Sequence, residues 1–326
     1  MSETLFVDLP EGEGPAGSFR RALGSEPQVT FAGSDPAARR RHLAEATIVV
    51  TRQLSDDDLA AARSLRWIAF LGAGLDQAAT PAVVARARDG VVLTSASGVH
   101  GPNIAEHVLG WMLAFTRDLP RFWRSQSTRT WDREPPDGGG HIGELAGQTL
   151  GIVGLGHIGT SLARRARAFD MRVLGMVRDP DRHEPSVDHL YGPSGLDELL
   201  AQSDHVCVVV PLTPATRGLI GPAQLARLRP TARLYNVARG PVVDQPALID
   251  ALAAHRLAGA GLDVFEDEPL PPDSPLWAMP HVLITPHIAG CTPRYYDRAA
   301  ALFSDNLARW RAGQPLAHRY DVDRGY

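Results

Sequence analysis

Three observations predict an α/β protein of two domains, each built on a parallel sheet. Short apolar or β-branched runs alternate with helix-like stretches along most of the chain, with no hairpin turn between them. A Gly-x-Gly-x-x-Gly loop stands between one such run and a helix. The 326 residues exceed one ordinary domain and suffice for two cores.

The elements follow in chain order. Residues 5–9 and 47–51 are short apolar or β-branched runs flanked by polar or Pro-rich segments, the pattern of strands. Ser55 followed by Asp56, Asp57 and Asp58 opens a helix, because Ser caps well and acids suit the first turn. Residues 66–71 form another strand, ending in Gly72-Ala73-Gly74. Residues 103–117 predict a long apolar helix carrying Ile104, Val108, Trp111, Met112 and Phe115. A glycine triplet at 138–140 marks a loop. From Gln148 a second α/β unit begins, with strands at 149–153, 171–177 and 205–210 around an Arg-rich helix at 160–169. Further apolar strands are read at 233–237, 259–264 and 282–285, with a weaker candidate at 242–243. Residues 293–312 complete the chain as a helix, and no internal repeat or low-complexity tail appears.

With 44% hydrophobic and 21% charged residues, the composition is that of a soluble globular protein. A net charge of -4 and a pI near 6.3 give no basic field for nucleic acid or an anionic membrane, so a small-molecule partner is expected. The first residues lack a secretory pattern and no apolar run is long enough for a bilayer, so a cytoplasmic location is expected. Two cysteines, Cys207 and Cys291, make neither a disulfide framework nor a Cys-rich metal site. The basic residues are all arginine. Without lysine, a Schiff base, a pyridoxal-phosphate anchor and a P-loop lysine are excluded.

Gly154-Leu-Gly156-His157-Ile158-Gly159 follows an apolar strand and precedes a helix. The first glycine permits a tight turn, the second lets backbone approach a pyrophosphate, and the third lets helix and strand pack closely. An acid for a ribose 2′-hydroxyl would stand near Val177. Arg178 follows instead and suits a 2′-phosphate, so NADP(H) is expected over NAD(H), although Arg178 also fits a solvated loop charge. Arg239, Glu268 and His287 each follow a different predicted strand. Reducing a 2-oxo acid needs a cation for the carboxylate, an acid for the carbonyl oxygen and a partner for that acid. Taken singly, the three also fit a solvated charge, an acidic loop and a surface histidine.

Several linked segments together resemble the D-isomer-specific 2-hydroxyacid dehydrogenase family. They are residues 70–76 (FLGAGLD), 97–109 (SGVHGPNIAEHVL), the Gly154 loop, Asn236-Val-Ala-Arg239-Gly240, residues 261–270 (GLDVFEDEPL) and residues 285–290 (TPHIAG). The likeness runs from about residue 47 to about residue 310. It implies a Rossmann-type doubly wound domain at 99–291 with a leading interdomain helix. It also implies a smaller, discontinuous flavodoxin-like substrate domain at 1–98 and 292–326.

The resemblance further implies Arg239 as carboxylate anchor, His287 as acid and base, and Glu268 as its carboxylate partner. Backbone N–H groups of Leu71, Gly72, Ala73 and Gly74 would bind the substrate carboxylate, with His100 beside them. His157 and Ile158 would meet the pyrophosphate, and Pro211 and Thr216 would wall the adenosine side. Val237, Ala238, Asp263 and Gly290 would surround the nicotinamide, with Asp263 on its carboxamide. Trp131 matches a pocket position but is expected in the core, and Cys291 carries no sign of an activated thiolate. His100 stands where phosphoglycerate-type relatives commonly carry Asn, and no regulatory C-terminal domain is expected, so a short acid such as glyoxylate or hydroxypyruvate is expected as substrate. No metal is expected. A homodimer is expected through the helix at 104–115, with Trp111 and Trp123. Other readings of the same residues are a dinucleotide-sensing corepressor and a relative acting on an anion such as phosphite.

Overall fold

The computed structural model describes residues 3–10, 12, 14–24, 29–32, 35–133 and 142–325; the loop expected at 138–140 lies outside them. The chain forms two compact units, Met1–His100 with Thr292–Tyr326, and Gly101–Cys291.

In the first unit β1 (Leu5–Pro10), α1 (Pro15–Leu23), β2 (Val29–Ala32), α2 (Pro36–Glu45), β3 (Ile48–Thr51), α3 (Asp56–Ala61), β4 (Trp67–Phe70), α4 (Pro81–Arg88) and β5 (Val92–Thr94) follow one another. The strands make a parallel sheet of order β2-β1-β3-β4-β5, the flavodoxin-like arrangement. Ser55 caps α3 as the sequence predicts: its side chain accepts from Asp58 N–H while the Asp58 carboxylate accepts from Ser55 N–H, a reciprocal cap that satisfies donors a short helix otherwise leaves open.

The second unit runs through α5 (Gly101–Thr116), α6 (Leu119–Ser127), β6 (Thr149–Val153), α7 (His157–Arg167), β7 (Arg172–Met176), β8 (His189–Tyr191), α8 (Leu196–Gln202), β9 (His205–Val208), α9 (Pro222–Leu225), β10 (Arg233–Asn236), α10 (Gln245–Ala253), β11 (Gly259–Leu262) and β12 (Val282–Ile284). Helix α11 (Tyr295–Arg311) then returns to the first unit. There Trp67 of β4 stacks on Phe303 at 5.1 Å and on Trp310 at 5.6 Å, so the C-terminal helix seals one face of the first sheet.

The second sheet is parallel throughout, in the order β12-β11-β10-β9-β6-β7-β8. Its central strands bury both faces, as a covered parallel sheet must. On β9, Val206 and Val208 join the core of one face, while Cys207 joins that of the other with Tyr235, Trp111 and Phe115. Each fully buried valine contributes about 1.5–3 kcal/mol by transfer. The chain's direction of progress reverses between β6 and β9, which puts the ligand-binding crevice of such a sheet outside their carboxyl ends.

Three strands were not legible from the sequence. Strands β2, β5 and β8 are three or four residues long and lie at sheet edges. Half-covered edge strands need neither length nor an unbroken apolar run. The strand expected at 242–243 is a correction. Gly240–Val242 is a 3-10 turn, and only Val243 makes an isolated bridge, to Ile220. Pro241, at the first turn of that segment, has no N–H to give a ladder.

Candidate active site

The glycine loop leaves β6 at the point where the strand order reverses. Gly154 has φ of 104°, and a Cβ there would come within 2.7 Å of the Val210 side chain and 3.0 Å of its backbone nitrogen. A Cβ at Gly159 would lie 2.4 Å from the Gly154 carbonyl oxygen, so the turn and the start of α7 close only without side chains at both positions. Gly156 is the N-cap of α7 and has nothing within 4 Å of its missing Cβ, leaving open backbone before His157 and Ile158 at the positive end of an 11-residue helix. This cradle fits a dinucleotide pyrophosphate. At the end of β7, Val177 is buried and Arg178 exposed. Arg182, which the sequence reading missed, donates to the Leu155 carbonyl within the glycine loop at 2.6 Å. On the far side of the crevice Thr216 donates to the Pro211 carbonyl at 2.6 Å and accepts from Thr213 N–H, closing that loop on itself.

The three chemical candidates stand at the carboxyl ends of neighbouring strands. Arg239 follows β10, Asp263 and Glu268 follow β11, and His287 follows β12. The Arg239 turn is pressed against the β11 loop: a Cβ on Gly240 would lie 1.8 Å from the Phe265 carbonyl oxygen. Asn236 shapes this turn, accepting from Ala238 N–H and donating to the Arg239 carbonyl. The Arg239 guanidinium donates to the Ala238 carbonyl at 2.8 Å. Val237 and Ala238 are buried beneath it.

His287 Nδ1 lies 2.7 Å from Glu268 Oε2. Both side chains are substantially exposed, 46% and 36%, so the pair adds at most about 1 kcal/mol to stability. Its consequence is orientation. The carboxylate accepts from Nδ1–H, which fixes the tautomer of the neutral ring and leaves Nε2 with a free lone pair. Glu268 is itself held, since its other oxygen accepts from Phe265 N–H at 3.0 Å.

Asp263 is 2% exposed and organises the turn that carries His287. Its carboxylate accepts from the Thr285 hydroxyl at 2.6 Å and from the N–H groups of Ile288 and Ala289 at 2.9 Å each. Its carbonyl accepts from His287 N–H at 2.8 Å. Parallel register explains the meeting: Leu262 pairs with Ile284, so the next residues, Asp263 and Thr285, emerge side by side. Asn103 and His107 of α5 also reach this turn, to Ala289 and Thr285. Neither stood out as a site residue, although two polar groups four residues apart on an apolar helix are a signal.

The remaining candidates belong to the first unit or the periphery. Leu71, Gly72, Ala73 and Gly74 follow β4; Leu71 N–H donates to Thr51, and the Gly72 carbonyl accepts from Ala96 N–H. His100 stacks on Tyr295 at 5.1 Å, and burial pushes the Tyr295 phenol up to about 12. Trp131 corrects an expectation. It is 93% exposed, because it follows the end of α6, a helix with no buried residue, and has no core to enter.

Comparison with known proteins places this geometry. Residues 109–289 match the family model described as D-isomer specific 2-hydroxyacid dehydrogenase, NAD binding domain. A glyoxylate reductase of Thermofilum pendens is 38% identical over 264 residues, 79% of this chain and 76% of that protein. A D-3-phosphoglycerate dehydrogenase of Mycobacterium bovis is 34% identical over 311 residues, 93% of this chain. The chain spans only 57% of that relative's length. Among solved structures, the NADPH-dependent glyoxylate/hydroxypyruvate reductase of Sinorhizobium meliloti, in complex with NADP and sulfate, superposes with a TM-score of 0.83 at 28% identity, covering all of both chains.

Proposed function

Because the chain belongs to the D-isomer specific 2-hydroxyacid dehydrogenase family, we propose that it reduces a short 2-oxo acid, of the glyoxylate or hydroxypyruvate kind, to the D-2-hydroxy acid with NADPH. The observation that carries the reading is the His287–Glu268 hydrogen bond of 2.7 Å at the end of β12, two strands along from the turn of Arg239.

With the pyrophosphate of the dinucleotide held in the glycine-loop cradle, its nicotinamide would supply the hydride. Arg239 holds the substrate carboxylate through its planar fork and polarises the carbonyl. His287 delivers a proton from Nε2 to the substrate oxygen as negative charge develops there. Glu268 accepts from Nδ1–H and keeps the ring aimed. In the oxidative direction His287 accepts the proton back at the same atom. Asp263, with one carboxylate oxygen that among the described residues accepts from Ala289 N–H, retains a lone pair for the carboxamide N–H₂. Arg178 and Arg182 take the 2′-phosphate, since Val177, at the position of a ribose-binding acid, cannot accept from a 2′-hydroxyl. The working form is a homodimer.

The test is Arg239→Gln, assayed with a panel of short 2-oxo acids. Removing a charge-assisted contact costs on the order of 1.5–3 kcal/mol or more, so kcat/KM falls more than tenfold. A variant within twofold of the wild type would show that the anchor is misassigned.

A further inference from the structure

We propose that helix α5 sets the position of His287 through two of its own side chains, Asn103 and His107, which serve as positioning residues for the proton transfer. The inference rests on the function proposed above.

His287 is a non-glycine residue with φ of 53°. A side-chain-bearing residue in the left-handed region persists when its surroundings over-determine it. The segment's own strand contributes little to that, because β12 ends at Ile284 and Pro286, with no N–H, separates Thr285 from His287. Within the turn the His287 N–H also approaches the Thr285 carbonyl at 3.1 Å; the contacts from outside it come in two layers. The inner layer is Asp263, whose carboxylate and carbonyl take four hydrogen bonds from residues 285, 287, 288 and 289. The outer layer is α5. Asn103 Nδ2 donates to the Ala289 carbonyl at 2.9 Å, two residues after His287. His107 Nε2 lies 3.1 Å from the Thr285 hydroxyl, two residues before it. Residues four apart share one helix face, so a single face of α5 grips the turn on both sides of the acid/base residue.

The proton positions within the outer layer follow from the inner one. The Thr285 hydroxyl has one proton, which goes to Asp263 at 2.6 Å. Its oxygen can then only accept toward His107, so His107 carries its proton on Nε2. Burial lowers the His107 pKa below the ordinary value, against the opposing pull of the Asp263 carboxylate, so the neutral Nε2–H form persists near neutral pH. The ring is held edge-on against Trp111 at 4.3 Å, and Trp111 is 7% exposed in the core of the unit. His107 thereby ties the turn to a rigid element rather than to another loop. Displacements near 1 Å cost up to about a hundredfold in rate, so loss of the tie is expected in kcat.

The experiment compares His107→Phe, which keeps a ring on Trp111 and removes the donor, with His107→Gln, whose amide restores one. Thr285→Val removes the middle of the chain. With a 2-oxo acid that the wild type reduces, His107→Phe and Thr285→Val are expected to lower kcat about tenfold or more. KM for NADPH should stay within twofold, and the isotope effect on kcat with C4-deuterated NADPH should rise. His107→Gln should return to within threefold of the wild type. The double variant should fall no more than twofold below the worse single one, because both cut the same chain. Asn103→Leu gives the same kcat-specific loss on the other side of the turn, and decides the matter if His107→Phe does not fold. Folded variants with kcat within twofold of the wild type, losses confined to Tm, additive losses, or failure of His107→Gln to recover would each overturn the inference. A wild-type chain that transfers no hydride to any acid of the panel would instead remove the proposed function, and this inference with it.

Discussion

Arg182 shows how a single side chain can be invisible in a motif and prominent in a fold. The glycine pattern pointed to Arg178, the first residue after the strand, whereas the loop that follows brings Arg182 back onto the Leu155 carbonyl at 2.6 Å. The nitrogen that makes this contact lies 3.9 Å from Glu184 Oε2, and these two contacts leave other donors of the guanidinium's five for a phosphate. A charged hydrogen bond of about 1.5–3 kcal/mol corresponds to roughly ten- to hundredfold in binding. NADPH is therefore expected to give a higher kcat/KM than NADH. Arg178→Ala and Arg182→Ala should each reduce the ratio, together erasing it. Steady-state rates with both reduced cofactors check this, and a wild type that prefers NADH would rule it out. Asp263 teaches a related lesson. Its proposed place beside the nicotinamide comes from family likeness, but its three side-chain hydrogen bonds make it first the scaffold of the His287 turn. Removing it would orphan those donors at about 1–3 kcal/mol each.

At the scale of elements, the central strands carry a buried polar cluster that the proposed chemistry does not use. His205 on β9 is fully buried, with Nδ1 at 2.9 Å from the Tyr235 hydroxyl on β10 and Nε2 at 2.7 Å from Gln148 Oε1. Burial, helped by Arg233 and opposed by Asp204, pushes its pKa down to about 3 from 6.5. The folded state thus excludes a proton that the unfolded chain binds below pH 6.5. Between those two values the unfolded state holds more protons, so stability rises with pH and is lost on acidification, by up to about 1.4 kcal/mol per pH unit from this group. Urea midpoints measured from pH 6.5 to 4 should fall less steeply in His205→Gln than in the wild type. Equal slopes would show that His205 titrates normally. Elements also differed in how readable they were. Central strands announce themselves by unbroken apolar runs because both faces are covered, whereas β2, β5 and β8 at the edges do not.

For the whole molecule, burial divides the expected dimer surface into a covered part and an exposed part. The helix at 104–115 was the expected interface, but Ile104, Trp111 and Phe115 are 7%, 7% and 8% exposed within the second unit itself, so that face is already covered. Trp123 on α6 is 58% exposed and is the part of the expected surface still open to a second copy, since burying apolar aromatic area is favourable. Light scattering is expected to give a dimer mass for the wild type and a monomer mass for Trp123→Asp; a monomeric wild type would refute the homodimer. The sequence by itself determined the α/β class, the parallel central strands, the glycine loop and the family. Each of these is written in local periodicity or in short motifs whose geometry depends on a few neighbouring residues. Only the tertiary structure decided which side chains meet. The Asp263–Thr285 contact follows from strand register, the grip of Asn103 and His107 on the His287 turn from how α5 lies on the sheet, and the approach of Arg182 to the glycine loop from a loop's return path. Such meetings join residues up to 186 positions apart, and no local pattern encodes a distance of that kind; packing does.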